Sequence, residues 1–102
     1  MTDTSRVRRA TSIASCGGIE QAVQAGEMAQ FQDVTVSEAL VLGLLNQGVR
    51  QYVGVFGHGT TDIAEVLRVY EAQGLVRALN VRHETVAAHA ATALRLMTGE
   101  TA

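Results

Sequence analysis

Three glycines, Gly48, Gly74 and Gly99, each close a stretch of apolar residues spaced for a helix, and two short β-branched runs lie between those stretches. This alternation constrains the chain more than any other feature. Helix, strand, helix, strand, helix with short loops argues for an α/β layer fold with parallel strands and right-handed crossovers. The first helix, near 35–47, opens at Thr35-Val36-Ser37-Glu38, a hydroxyl followed three residues later by a glutamate, which has the capping-box form. Leu40, Val41, Leu44 and Leu45 mark one face of it. Residues 52–56 are β-branched and aromatic and read as a short buried strand. Ile63, Val66, Leu67 and Tyr70 recur at helical spacing over 61–73, residues 75–81 read as the second strand, near 76–81, and a third helix covers 84–98. The expected fold class is α/β, a three-layer parallel-sheet domain. Two strands do not cover both faces of such a sheet, and the chain stops after a helix where a third strand is expected, so the domain reads as incomplete.

Residues 1–33 are small and polar by comparison and read as a leader, unstructured apart from a possible short helix over 19–31 that Gly26 weakens; the domain proper is expected over 34–102. The formal charge is only −2, so nothing draws the chain to nucleic acid or anionic lipid. All eight basic residues are arginine, and the Arg6, Arg8, Arg9 cluster is too short for a nucleic-acid arm. Cys16 stands alone, so no internal disulfide forms and a reducing compartment is expected; no activating base stands beside it in the sequence. The longest apolar run, 39–45, is far too short to span a bilayer, and no hydrophobic stretch follows the N-terminal arginines. The expected location is the cytoplasm.

In open α/β sheets ligands gather at the carboxyl ends of strands. Two loops take that place here: Gly57-His58-Gly59-Thr60-Thr61 and Arg82-His83-Glu84, each feeding a helix N-terminus. The first has the texture of a flavodoxin-like anion loop, with two glycines and two hydroxyls beside free amides. A tight turn with Thr60 or Thr61 as helix cap accounts for it equally well. For Glu84, three readings stand side by side. A carboxylate at a helix N-terminus is favourable by about 0.3–1 kcal/mol. A metal site with His83 and His89 is disfavoured, because those histidines are six apart and fall on opposite sides of a helix. Acid/base chemistry is the third, and spacing alone does not establish it.

At two stretches the chain resembles a known family. "TVSEALVLGLLNQGVRQYVGVFG" is similar to the opening helix and first strand of the N-terminal pyrimidine-binding domain of thiamine-diphosphate enzymes of the acetolactate synthase and pyruvate decarboxylase group. "VRHETVAAHAATALRLMTG" is similar to that family's strand, R-H-E, alanine-rich helix and closing T-G. The likeness covers about two thirds of the chain, from Thr35 to its end. It implies that Glu84 is catalytic and cofactor-binding: its carboxyl hydrogen-bonds a ring nitrogen of the cofactor's aminopyrimidine, favouring the imino tautomer that removes the thiazolium proton. On this reading Ala87, Ala88, Ala90 and Ala91 let the helix approach its neighbours and keep the surroundings of Glu84 apolar, which raises a carboxyl's proton affinity.

The resemblance also places Gly57 and Gly59 at the cofactor and His58 or Thr60 towards the substrate. The loop "FGHGTT" is one residue shorter than is common in the family and has no proline; F-G-H-G is nearest to the trihydroxycyclohexanedione hydrolase of inositol breakdown. Family members run several times this length and hold the diphosphate and Mg²⁺ through a Gly-Asp-Gly motif, usually in a partner subunit of a homo-oligomer. This sequence has no such motif. The expectation is therefore a fragment of a lyase, carboligase or C–C hydrolase, with no metal ligands of its own. Its Mg²⁺ would come from a domain absent from this chain, and the missing remainder or a second subunit would be its partner.

Overall fold

The computed structural model of the protein describes residues 3–102. Its elements run α1 (Asp3–Cys16), α2 (Ile19–Gln24), α3 (Val36–Asn46), β1 (Gln51–Gly54), a 3-10 turn (His58–Thr60), α4 (Thr61–Ala72), β2 (Arg77–Asn80) and α5 (Glu84–Thr98). The two strands pair in parallel, in the register Gln51 to Arg77 through Gly54 to Asn80. The α/β reading with parallel strands is borne out. Both strands are shorter than their apolar runs, because pairing lasts only where the partner strand lies alongside. One further bond, from the Val81 N–H to the Gly54 carbonyl at 2.9 Å, carries the alignment just past the strand ends.

Helix stops follow the glycines. Gly48 and Gly74 adopt φ of +86° and +75°, a left-handed backbone that costs other residues about 1–2 kcal/mol. The Val49 N–H then reaches back to the Leu44 carbonyl at 2.9 Å and the Leu75 N–H to that of Tyr70 at 3.1 Å, satisfying carbonyls the helix ends leave open. At the start of α3, Thr35 Oγ1 accepts the Glu38 N–H at 3.2 Å. The Glu38 side chain does not complete the capping box; it turns into the core, as described below.

The core lies chiefly among helices. Val66, Leu67, Val69 and Tyr70 of α4 are buried against Val41 and Leu45 of α3 and Ala10 and Ile13 of α1. Of the α3 face read from the sequence, Leu40 is 51 % exposed, because the side of α3 turned into the core carries Glu38, Val41 and Leu45 instead. β1 is half-buried rather than buried; Tyr52 and its register partner Ala78 close the core from the sheet side. On α5, no residue is buried, although the helix lies against β1.

The expectation of an unstructured leader is corrected for residues 3–16, which form α1; residues 1 and 2 lie outside the described residues. The short helix expected over 19–31 ends early, at Gln24, just before Gly26. The reason α1 forms is a face built from Arg6, Arg9, Ala10 and Ile13, at helical spacing and all buried. Cys16, at its end, is half-buried against the core. No helix among the described residues is long and apolar enough to cross a membrane.

Candidate functional site

Parallel pairing in this register sends both strands towards one edge, with Gly54 and Asn80 side by side at their ends. The 57–61 loop follows from Gly54, and Arg82-His83-Glu84 follows from Asn80, so both expected site loops open on that edge.

In the first loop the chain makes one 3-10 turn between β1 and α4. Thr60 holds it closed: its Oγ1 accepts the Gly57 N–H at 3.0 Å and donates to the Gly57 carbonyl at 3.1 Å, and the Thr60 N–H reaches the same carbonyl. Thr61 Oγ1 donates to the His58 carbonyl at 3.0 Å. Two amides and two hydroxyls are thereby engaged within the turn, which leaves few donors for an anion and weakens the flavodoxin-like reading. Neither Gly57 nor Gly59 has a left-handed backbone. A Cβ built on either would meet no atom within 4 Å, so the absent side chains leave open space above the loop. His58 is exposed, whereas Thr60 is half-buried.

At the second loop His83 has extended backbone (φ −138°, ψ 143°) and caps α5 without a side-chain bond, while its carbonyl accepts the Ala87 N–H at 3.2 Å. Glu84 is the first residue of α5 and is exposed. Among the described residues no hydrogen bond or ion pair engages its carboxylate. The apolar surroundings expected from the alanines are not seen around it. Instead Ala87, Ala90 and Ala91 are the half-buried residues of the run, and Ala88 faces solvent. Among the described residues no group of three or more His, Cys, Asp or Glu is placed to hold a metal ion.

A surface cleft of about 450 Å³ lies elsewhere, lined by Ile13, Gly17, Leu45, Gly48, Arg50 and Gly74 among others. Arg50 and Gly74 precede β1 and β2, so the cleft sits at the amino ends of the strands, away from both loops.

Sequence reasoning missed the strongest electrostatic feature. Glu38 is fully buried, and its carboxylate accepts bonds from Arg6 Nε at 3.1 Å, Arg9 Nε and Nη2 at 2.7 Å each, and the Tyr70 hydroxyl at 2.8 Å. Burial pushes the carboxyl's pKa up, but the bonds from Arg9, Tyr70 and Arg6 outweigh it and hold it below its ordinary value. The hydrogen bond to Glu38 raises Arg9, and burial followed by the same carboxylate raises Tyr70 well above the usual phenol range. By contrast, the buried Tyr52 hydroxyl has no hydrogen-bond partner among the described residues, and burial raises it. The sequence signal for the Glu38 cluster was the spacing Arg6, Arg9, Ala10, Ile13, one helical face carrying two charges and two apolar groups.

Residues 34–102 match the family model described as "Thiamine pyrophosphate enzyme, N-terminal TPP binding domain". Comparison with curated proteins and with solved structures gave no match.

Proposed function

Because the chain belongs, through residues 34–102, to the family of N-terminal TPP-binding domains of thiamine pyrophosphate enzymes, we propose that the edge carrying Gly57, His58, Gly59 and Glu84 receives the aminopyrimidine end of thiamine diphosphate. The observation that carries this reading is the Glu84 carboxylate, which is exposed, unengaged among the described residues and on the same edge as the glycine loop. The residues present fit a flat heteroaromatic ring. Gly57 and Gly59 leave open the space that side chains would fill, and Glu84 offers one carboxyl group to one ring nitrogen.

When bound, thiamine diphosphate supplies the electron-sink chemistry by which carbon–carbon bonds are made and broken. The chain's own contribution is proton handling and orientation. Glu84 would hold the aminopyrimidine by a hydrogen bond from its carboxyl to a ring nitrogen and so would keep a proton at that position. That is a general acid/base role typically worth about 10²–10⁴ in rate. The loop at Gly57, His58 and Gly59 would hold the ring from the other side, where no side chain of the two glycines intrudes. Of the two substrate-facing candidates His58 is the better placed, since the Thr60 hydroxyl is committed to Gly57. We assign the diphosphate and Mg²⁺ to a further domain or partner subunit, in keeping with the scattered acids of this chain. A lyase, carboligase or C–C hydrolase reaction in a homo-oligomer fits this assignment.

The test is deuterium exchange at the cofactor's reactive thiazolium carbon, followed by NMR in the holoenzyme that contains this segment. Glu84→Gln should slow exchange by about 10²–10⁴, since an amide cannot relay the proton. An unchanged rate would remove Glu84 from the mechanism.

A further inference from the structure

The segment before the family-matched stretch is tied to that stretch at its most buried charge. α1 contributes Arg6 and Arg9 to the Glu38 carboxylate and Ala10 and Ile13 to the core, all from one face. α1 contacts α4 as well as α2. Arg6 Nη2 also donates to Thr35 Oγ1 at 3.4 Å, at the start of α3. The same Arg6 shares a surface hollow of about 250 Å³ with Thr35, Val36, Ser37, Asp62 and Glu65. Asp62 lies in the first turn of α4, directly after the turn at His58–Thr60.

We propose that α1 is a latch: its two arginines, closed on Glu38, fasten the amino-terminal ends of α3 and α4 together and so hold the 57–61 loop in its folded turn. The physical argument rests on what each partner loses. Without the arginines Glu38 is a carboxylate with no exposure and no cation, with only the Tyr70 hydroxyl and water to turn to. Such a charge draws water in between α3 and α4, and the separation spreads to the ends of the helices where Thr35 and Asp62 stand. The hydroxyl ring of Thr60 is a short-range arrangement that depends on α4 starting where it does. Locking one loop through a helix docked by charge needs no contact between α1 and the loop itself. The latch bears on function only if the 57–61 edge is the cofactor edge proposed above, but its operation does not depend on the cofactor.

Amide hydrogen exchange on the full chain, read by mass spectrometry without cofactor, tests it. In Arg6→Ala/Arg9→Ala, residues 3–16 should lose protection and residues 57–64 should exchange at least tenfold faster, while the second half of α4 stays protected. Adding Glu38→Gln to that pair removes the stranded charge; α3 and the second half of α4 should then recover protection while residues 3–16 and 57–64 remain open. The triple variant therefore decides the matter if the double variant does not fold. Retained protection of 3–16 in the double variant would overturn the proposal. So would an unchanged 57–64 segment in a variant whose α1 has opened. Simultaneous loss of protection across the whole triple variant would also overturn it, since α1 would then be no separable latch. Because no cofactor is present, these outcomes are independent of whether Glu84 acts on one.

Discussion

Arg9 grips Glu38 with two hydrogen bonds of 2.7 Å, Nε to Oε2 and Nη2 to Oε1, across 29 residues of sequence. The planar guanidinium fits the carboxylate fork at both prongs, a geometry that a lysine ammonium does not reproduce. Arg6 and Tyr70 fill the remaining acceptor sites on the carboxylate, so the charge is buried with hydrogen bonds on every side. One contact thus joins a helix outside the family-matched residues to the first helix inside them.

Removing one member of a buried ion pair leaves the other uncompensated, which costs about 3–5 kcal/mol. Arg9→Ala should therefore lower the free energy of unfolding by about that amount, enough to threaten a chain of this size. Urea denaturation of the variant beside the unaltered chain measures it. Arg8→Ala, at an exposed neighbour, should change stability by less than about 0.5 kcal/mol. Equal losses in the two variants would mean that the Glu38 contact contributes nothing particular.

Acid should weaken the fold through Glu38. The groups facing its carboxylate are the Arg6 and Arg9 guanidinium groups and the Tyr70 phenol, and such side chains do not titrate in acid. The folded carboxyl titrates below its ordinary value of 4.5, so between the two values the unfolded chain binds more protons. The contribution is complete above about 4.5, and it is lost as pH falls through the lower folded value. Glu65, a half-exposed surface residue lowered by its hydrogen bond from Arg68, adds only a screened contribution of the same sign. Urea midpoints at pH 7, 5, 4 and 3 should fall only below about pH 4.5, and Glu38→Gln should flatten that fall. An identical acid slope in the variant would place the proton uptake elsewhere.

The outer edge of β2 is guarded by a side chain. The Arg77 and Val81 N–H groups point at β1, bonding the carbonyls of Arg50 and Gly54, so the Ala78 N–H points away from it. Glu71 Oε2 accepts that N–H at 2.8 Å. A free, half-apolar strand edge with Leu79 44 % exposed invites pairing with another chain. Glu71→Ala should raise the chain's self-association, measured by sedimentation velocity over a concentration series. A monomer–oligomer balance unaltered by the substitution would show that Glu71 does not protect the edge.

Where local pattern and tertiary demand agree, the sequence was legible. α3, α4 and α5 follow their apolar spacing to their glycine stops, and the parallel strands place both candidate loops as the connectivity requires. α1 was not legible, because two of its four core-facing groups are arginines, and a charge reads as solvent-facing until a buried carboxylate is known to stand opposite. Glu38 was read as a cap for the complementary reason: its sequence neighbours show Thr35, and only the fold shows Arg6, Arg9 and Tyr70. The loop position of Thr60 was clear, but the engagement of its hydroxyl with Gly57 depends on a 3-10 turn that spacing does not reveal.

The central claim, that Glu84 and the 57–61 loop form one cofactor edge, is tested most directly by titrating the isotope-labelled full chain with thiamine diphosphate and following backbone amides by NMR. We expect shifts concentrated at His58, Gly59, Glu84 and Thr85, saturating weakly on the proposal that a further domain or subunit supplies the metal ligands of the diphosphate, and much reduced in Glu84→Gln. Shifts confined to the cleft around Arg50 and Gly74, or an unperturbed 57–61 loop and Glu84 at saturating cofactor, would contradict the account.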